Sequence, residues 1–272
     1  MNRKEMADLL VQRIEPELAR LKAGYEASRL TIGHFFIDDL LPEPLAQRIY
    51  SAFPNAGTMK LKKSLKEYKY VAAQMDRYDP ILEEAIYAFQ DPRVVALISS
   101  ICGIDSLYPD EKLYAGGISL MGHGHFLNPH LDNSHDKDRN RWRVLNLLYY
   151  VSPGWEIGNG GNLELWPAGP TGEPVVIHSR FNRLVVMATH DASWHSVSPI
   201  ACHAGAARCC VSNYYFSDHP LKAGEQFHVT SFRGRPEQRL RDLMLRADIR
   251  LRMAIRKVFK RGLVETDHVY KK

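Results

Sequence analysis

The chain has 272 residues, 45% apolar and 25% charged, without a low-complexity tract; this excludes a disordered or fibrous protein and suits one elaborated domain with a substantial core. No apolar run reaches the roughly eighteen residues of a membrane-spanning helix, and charges scattered through the opening MNRKEMADLLVQRIEPELARL exclude a secretory h-region, so a cytoplasmic protein is expected. The formal charge of +5 is concentrated at one end: from Arg233 to Arg261 nine Arg and two Lys oppose Glu237, Asp242 and Asp248, a local balance of +8 that leaves the remainder at −3.

Apolar positions at helical spacing (Leu9, Leu10, Ile14, Leu18, Leu21) predict an amphipathic helix over residues 1–28, with Pro16 as a kink or restart. The apolar start of LTIGHFFID reads as a strand, and Pro42 stands where it opens a helix that runs to Phe53. Residues 58–71 are lysine-rich and read as a surface loop or edge. DPILEEAIYAFQ and DPRVVALISSICG each set Asp-Pro before a helical pattern, an N-cap followed by an N1 proline, and Gly103 closes the second. After Leu107 come eight short strand-like runs punctuated by Gly, Asn and Pro: KLYAGGISLMG, FLNPHLD, RVLNLLYYVS, GGNLELWPAG, EPVVIHS, NRLVVMATH, HSVSPIA and RCCVSNYYFS. They predict an all-β barrel or double sheet. Helical spacing returns from Pro236, with Leu240, Leu243, Met244, Ala247, Leu251, Ala254, Ile255, Val258 and Phe259 as one stripe. Three regions of one domain follow: 1–106, helices and a strand packing on the core; 107–232, the β core; and 233–272, a basic helical extension.

The stretch NPHLDNSHDKD crowds two histidines and three aspartates into a few residues. On a strand, His130 and Asp132 share one face and can reach one ion together; on a helix the same spacing would point them apart. His135 and Asp136 are adjacent, lack apolar neighbours and read as a hydrated lid. His123 and His125 have one-face spacing without a carboxylate and read as pocket lining rather than ligands. Downstream, His195 in SWHSVSP stands at the mouth of one strand and Arg208 at the head of another. Two imidazoles and one carboxylate leave three octahedral positions open, the facial arrangement suited to non-haem Fe(II) and oxygen. Arg208 fits as a bidentate anchor for the carboxylate of a co-substrate, and burying it without an anion would be costly. Alternation puts Asn146, Leu148 and Tyr150 on one face, and Arg208, Cys210 and Ser212 on one face. The four cysteines, Cys102, Cys202, Cys209 and Cys210, form no C-x-x-C pair and read as reduced, inert thiols. Trp142, Trp155, Trp166 and Trp194 either brace the barrel ends or line the substrate cleft.

From about Leu30 to Asp218 the chain resembles the prolyl-4-hydroxylase-like branch of the Fe(II)/2-oxoglutarate-dependent dioxygenase superfamily. The resemblance rests on HLD, LNLLYYVSPGW, GGNLELWPAG, NRLVVMATHDASWHSVSP and RCCVSNYYF, in that order. It implies a mainly β fold, a double-stranded β-helix (jelly roll, cupin-like) flanked by N-terminal and C-terminal helices. It implies that His130, Asp132 and His195 are iron ligands, that Arg208 pairs with the distal carboxylate of 2-oxoglutarate, and that Tyr150 donates its hydroxyl to the same carboxylate. Asn146 would face the same interior, and Leu163, after Gly160 and Gly161, would be an apolar wall against the co-substrate. The chain departs from the pattern in a longer loop, SVSPIACHAGAA, between His195 and Arg208, and in Cys210, where a small or hydroxyl residue is frequent.

The resemblance implies an oxygenase that uses Fe(II), 2-oxoglutarate and O2, with ascorbate as a reductant, to hydroxylate an unactivated C–H bond and release succinate and CO2. Asp132 itself favours hydroxylation, since related halogenases carry a small residue there. Peptidyl proline, a small metabolite and a lipid-linked sugar are the candidate substrates. The alternative is a non-catalytic, cupin-like metal-binding module. The C-terminal helix has two readings: its stripe docks on the β core beneath solvated arginines, or it lies on an anionic membrane surface, giving a peripheral protein at the inner face of a membrane. Nucleic acid is not an expected partner, because the body is net acidic and lacks interleaved aromatic and basic residues.

Overall fold

The computed structural model describes residues 1–258 and Tyr270. Helices α1 (Arg3–Ile14) and α2 (Leu18–Ser28) are separated by a 3-10 turn over Glu15–Glu17, because Pro16 lacks the N–H that would carry the helix through. Strand β1 (His34–Ile37) follows, then α3 (Glu43–Ser51), which starts one residue later than its sequence suggests, with Pro42 at the cap. In α4 (Pro80–Ala88) and α5 (Pro92–Cys102) the Asp79 and Asp91 carboxylates accept from the amides of Ile81 and Arg93, as the Asp-Pro pairs predict. Gly103 ends α5 at φ +61°, a conformation that favours glycine.

The remaining strands are β2 (Lys60–Lys63), β3 (Glu67–Ala72), β4 (Leu107–Pro109), β5 (Gly117–Met121), β6 (Phe126–Leu131), β7 (Trp142–Tyr150), β8 (Leu163–Leu165), β9 (Val175–Ile177), β10 (Arg183–Ala188), β11 (His195–Val197), β12 (Arg208–Ser217) and β13 (Ser231–Phe232). They join one antiparallel sheet in the order β1-β10-β7-β12-β5-β3-β6-β11-β8-β9, with β2 on β3, β4 on β12 and β13 on β6. All eight strand-like runs contain strands, although KLYAGGISLMG is extended only from Gly117. The Lys-rich stretch 58–71 is not a loop. It is a hairpin, and β3 within it pairs with β2, β5 and β6, so only β2 is an edge.

Alternation along the strands builds two apolar layers. Leu145, Leu147 and Tyr149 of β7 and Cys209 and Val211 of β12 face the helices, in a cluster with Leu10, Ile49, Leu82 and Ile98. The intervening Leu148, Tyr150 and Cys210 face the opposite way, packing with Leu163, Ile177 and Met187 inside the curl of the sheet. Burial of these faces removes apolar area from water, the main term favouring the fold.

The final helix, α6 (Arg239–Val258), is attached on its polar side. Asp242 binds Arg233 at 2.6 Å and accepts from the Gly234 amide, Asp248 meets Lys66 and Arg252, and Leu245 is buried. Leu240, Leu243, Met244, Ala247 and Leu251 are exposed instead. The reading in which this stripe docks on the β core is therefore overturned: residues 242, 245, 248 and 252 recur at helical spacing and turn the stripe outward. The side chains of Ala254, Ile255 and Val258, and Phe259, lie outside the described residues. No described helix is long and apolar enough to cross a membrane.

Candidate active site

His130 on β6 and His195 on β11 are direct cross-strand partners, their ring centroids 4.1 Å apart. Asp132 follows the end of β6, its two oxygens each 3.8 Å from an imidazole Nε2, Oδ1 from His130 and Oδ2 from His195. The ligand atoms of all three residues lie within 4.8 Å of one another. The register of β6 against β11 shifts between His195 and Val197, so Leu127 and His130, three apart, both line the same cavity.

Each histidine donates its Nδ1–H to the carbonyl two residues upstream, His130 to Asn128 at 3.0 Å and His195 to Ser193 at 2.9 Å. That fixes the tautomer with the Nε2 lone pair toward Asp132, the arrangement a metal requires of imidazole. Burial, and after it His195, pushes the His130 pKa down to about 3, so the ring is neutral. Burial, the largest influence, opposes the charge on Asp132, but the carboxyl is still held below its ordinary range, with Arg143 foremost among the neighbours that lower it. Arg143 Nη1 stands 3.5 Å from Asp132 Oδ1, with its guanidinium 4.6 Å from the Tyr214 ring centroid. Asp132 Oδ2 is buried without a hydrogen-bond partner. A neutral His130, a second imidazole whose Nε2 faces the same point, an ionised carboxylate and an orphaned oxygen fit a divalent cation, which could be held here.

Arg208 heads β12 and is 3% exposed. Its Nε donates to Ser179 Oγ at 3.1 Å, its guanidinium lies 4.6 Å over the Tyr150 ring, and no carboxylate among the described residues pairs with it. The Tyr150 hydroxyl and Asn146 Oδ1 are buried without hydrogen-bond partners, and burial pushes the Tyr150 phenol up to about 12. A buried cation without an anion, beside a spare hydroxyl, is a receptor for a carboxylate. Gly161 makes the space: a Cβ there, at φ +69°, would stand 2.8 Å from Arg208 Cδ. His130, Asp132, His195, Arg208, Asn146, Leu163 and Cys210 line one cavity of about 570 Å³, within the range of small-ligand sites.

Residues 116–216, from the approach to β5 almost to the end of β12, match the model of the 2OG-Fe(II) oxygenase superfamily. The β core that holds the site therefore carries the sequence pattern of that superfamily. Oxygenases of that superfamily need Fe(II) and 2-oxoglutarate, and in this chain His130, Asp132 and His195 could bind the metal. Among solved structures it is similar to a prolyl hydroxylase from Trichoplax adhaerens in complex with a hypoxia-inducible-factor peptide fragment, at 20% identity and TM-score 0.51, over 78% of this chain and 96% of that one. It is similar to prolyl 4-hydroxylases from Phytophthora capsici at 18% identity and TM-score 0.53, over 93% and 80%. A third likeness is to SnoN, a non-haem, 2-oxoglutarate-dependent epimerase of nogalamycin biosynthesis, at 14% identity and TM-score 0.50, over 75% and 84%. No curated protein gives a significant match to the sequence of the oxygenase. At these identities the structural likenesses establish its fold, a half-barrel of jelly-roll type.

Two sequence expectations for the oxygenase are corrected, and the open question of the tryptophans is decided. His135 is buried rather than part of a hydrated lid: its ring meets Trp142 at 4.1 Å and Phe227 at 5.4 Å, apolar anchors distant in sequence in the second case. His123 and His125 do not line the cavity; His123 is exposed and bonds the Cys202 carbonyl, and His125 packs on Tyr68 at 3.9 Å. The tryptophans brace rather than line the cavity, as when Trp166 donates to Ser196 and Trp155 to the Gly160 carbonyl. Sequence reasoning missed Arg143, Ser179, Lys62 and Lys69. The lysines had a signal in the alternation K-x-K and E-x-K, which lysine content disguised as loop.

Proposed function

We propose that this oxygenase hydroxylates an unactivated C–H bond of a small molecule or peptide. The observation that carries the reading is the buried, anion-free guanidinium of Arg208 in the cavity that also holds the His–Asp–His cluster. His130, Asp132 and His195 would hold Fe(II), their neutral and anionic donors suiting a divalent cation. Arg208 takes the distal carboxylate of 2-oxoglutarate, Tyr150 donates its hydroxyl to the same group, and Leu163 packs on the methylenes. Bound there, Fe(II) and 2-oxoglutarate supply oxidising power: O2 is consumed, succinate and CO2 leave, and an oxygen atom passes to the substrate carbon. The chain's own part is to fix these groups, exclude water with Leu127, Leu163, Val197 and Phe232, and hold the target C–H bond close. A metal-binding module without catalysis would have no use for Arg208. The peptide-bound prolyl hydroxylase and the epimerase on similar folds keep peptide and small-molecule substrates both open.

The test is succinate release from 2-oxoglutarate with Fe(II), ascorbate and air, with the weak visible absorption of the anaerobic Fe(II)–2-oxoglutarate complex as a second readout. The expected result is slow turnover without substrate together with the absorption band; absence of both sinks the assignment.

The exposed stripe of α6 supports peripheral contact with an anionic lipid surface at the inner face of a membrane. Arg239, Arg246 and Arg250 are exposed alongside Leu240, Leu243, Met244, Ala247 and Leu251, and Asp242 and Asp248 are turned toward the body. The full chain is expected to float with vesicles of phosphatidylglycerol and phosphatidylcholine but not with phosphatidylcholine alone, and Leu243→Glu with Leu251→Glu is expected to abolish flotation. Equal flotation with both vesicles, or with neither, rejects the contact.

A further inference from the structure

The hairpin β2–β3 inverts the pattern a barrel wall usually shows. Lys60 and Lys62 of β2 and Glu67, Lys69 and Val71 of β3 line the cavity that holds His130, Asp132 and Arg208, while Leu61, between the two lysines, is 46% exposed. Lys62 and Lys69 are direct cross-strand partners, a like-charge juxtaposition that destabilises a sheet. Charged residues on an edge strand protect it from pairing with other chains, which accounts for lysines on β2. It does not account for Lys69, because β3 is hydrogen-bonded on both sides.

The charges around the cavity point the same way. Five cationic side chains line it, Lys60, Lys62, Lys69, Arg143 and Arg208, against the carboxylates of Glu67 and Asp132. Glu67 pairs with Lys69 at 3.0 Å and Asp132 with Arg143 at 3.5 Å. Bound 2-oxoglutarate would use one carboxylate toward Fe(II) and the other toward Arg208, which removes Arg208 from the surplus. Of the two that remain, Lys60 is exposed and has an interaction of its own, whereas Lys62 is a half-buried ammonium facing the cavity with no carboxylate paired to it among the described residues.

Resting on the reading of this cavity as the oxygenase site, we propose that Lys62 and Lys69 form an anion subsite, and that the substrate is a small molecule carrying a phosphate or carboxylate group which docks there. The anion relieves the Lys62–Lys69 repulsion and so sets which end of the substrate lies on the β2–β3 wall, leaving the opposite end toward the His–Asp–His cluster. Burial first and Lys69 second hold the Lys62 pKa below its ordinary value, and an incoming anion offsets both.

The test uses the full chain loaded with Mn(II), as an oxygen-inert stand-in for Fe(II), and saturating 2-oxoglutarate. It is titrated calorimetrically with inorganic phosphate and, separately, with acetate at fixed ionic strength. One anion is expected per chain, undiminished by 2-oxoglutarate; Lys62→Gln weakens it by about tenfold or more, the effect of losing a charge-assisted hydrogen bond, and Lys62→Arg restores it. Tighter phosphate binding identifies a phosphate ester as the substrate class, and tighter acetate binding a carboxylate. In parallel, anionic members of a small-molecule panel are expected to raise succinate release above the uncoupled rate in wild type and not in Lys62→Gln. The proposal is overturned if neither anion binds, if 2-oxoglutarate displaces the anion, if Lys62→Gln binds it equally, or if only neutral or cationic compounds stimulate turnover. Failure of Mn(II) and 2-oxoglutarate to bind at all would instead count against the oxygenase reading.

Discussion

Asp132→Ala is expected to lower affinity for Mn(II) or anaerobic Fe(II) by more than about 100-fold and to abolish succinate formation. Loss of a group that merely orients a metal ligand already costs roughly 10- to 100-fold, and Asp132 is the anionic member of the cluster. The two histidines that remain bring no negative charge to offset the desolvation of a dication. The substitution also strips Arg143 of its carboxylate partner in a buried setting, so the metal-free protein is expected to lose about 1–3 kcal/mol of stability. Calorimetric metal titration and urea unfolding read the two effects separately. Unchanged metal affinity in a folded variant would remove Asp132 from the site.

Arg208→Met is expected to act in opposite directions on affinity and stability. Removing one partner of a buried charge pair costs about 2–5 kcal/mol, so the KM for 2-oxoglutarate rises about 30-fold or more while kcat changes less. The metal-free, co-substrate-free protein is not expected to suffer. Arg208 is 3% exposed, pairs with no carboxylate among the described residues, and donates only to neutral acceptors, Ser179 Oγ at 3.1 Å and the weak acceptor Met121 Sδ at 3.6 Å. A methionine of similar length removes an uncompensated buried charge, so Tm stays level or rises. A structural arginine would give the reverse: a Tm lowered by several degrees and an unchanged KM. Steady-state kinetics over 2-oxoglutarate and a thermal melt without ligand distinguish the two.

The same separation explains what could be read from the chain. His130 and Asp132 were legible because a strand places i and i+2 on one face, a local rule that depends on nothing distant. The parity of Tyr150 with Leu148 and of Arg208 with Cys210 was legible for the same reason, and the two apolar layers on either side of β7 and β12 bear it out. The Asp-Pro caps of α4 and α5 are local too. His135 was misread because Phe227, which covers it, lies far along the chain. The hairpin at 60–72 was misread because lysine is a poor indicator of strand, and here a cavity, not a propensity, decides which way the side chains face.

The sequence by itself determined the strand and helix grammar, the parity of side chains along each strand and, through its motifs, the oxygenase family. These depend on backbone periods that each segment carries alone. Only the tertiary structure decided that His195 lies across from His130, that Arg208 is buried without an anion, that Lys62 and Lys69 share a cavity wall, and that the apolar stripe of α6 faces outward. Each of those depends on which surfaces meet when the sheet closes, and on where charge is left over once they have met; no segment specifies that on its own.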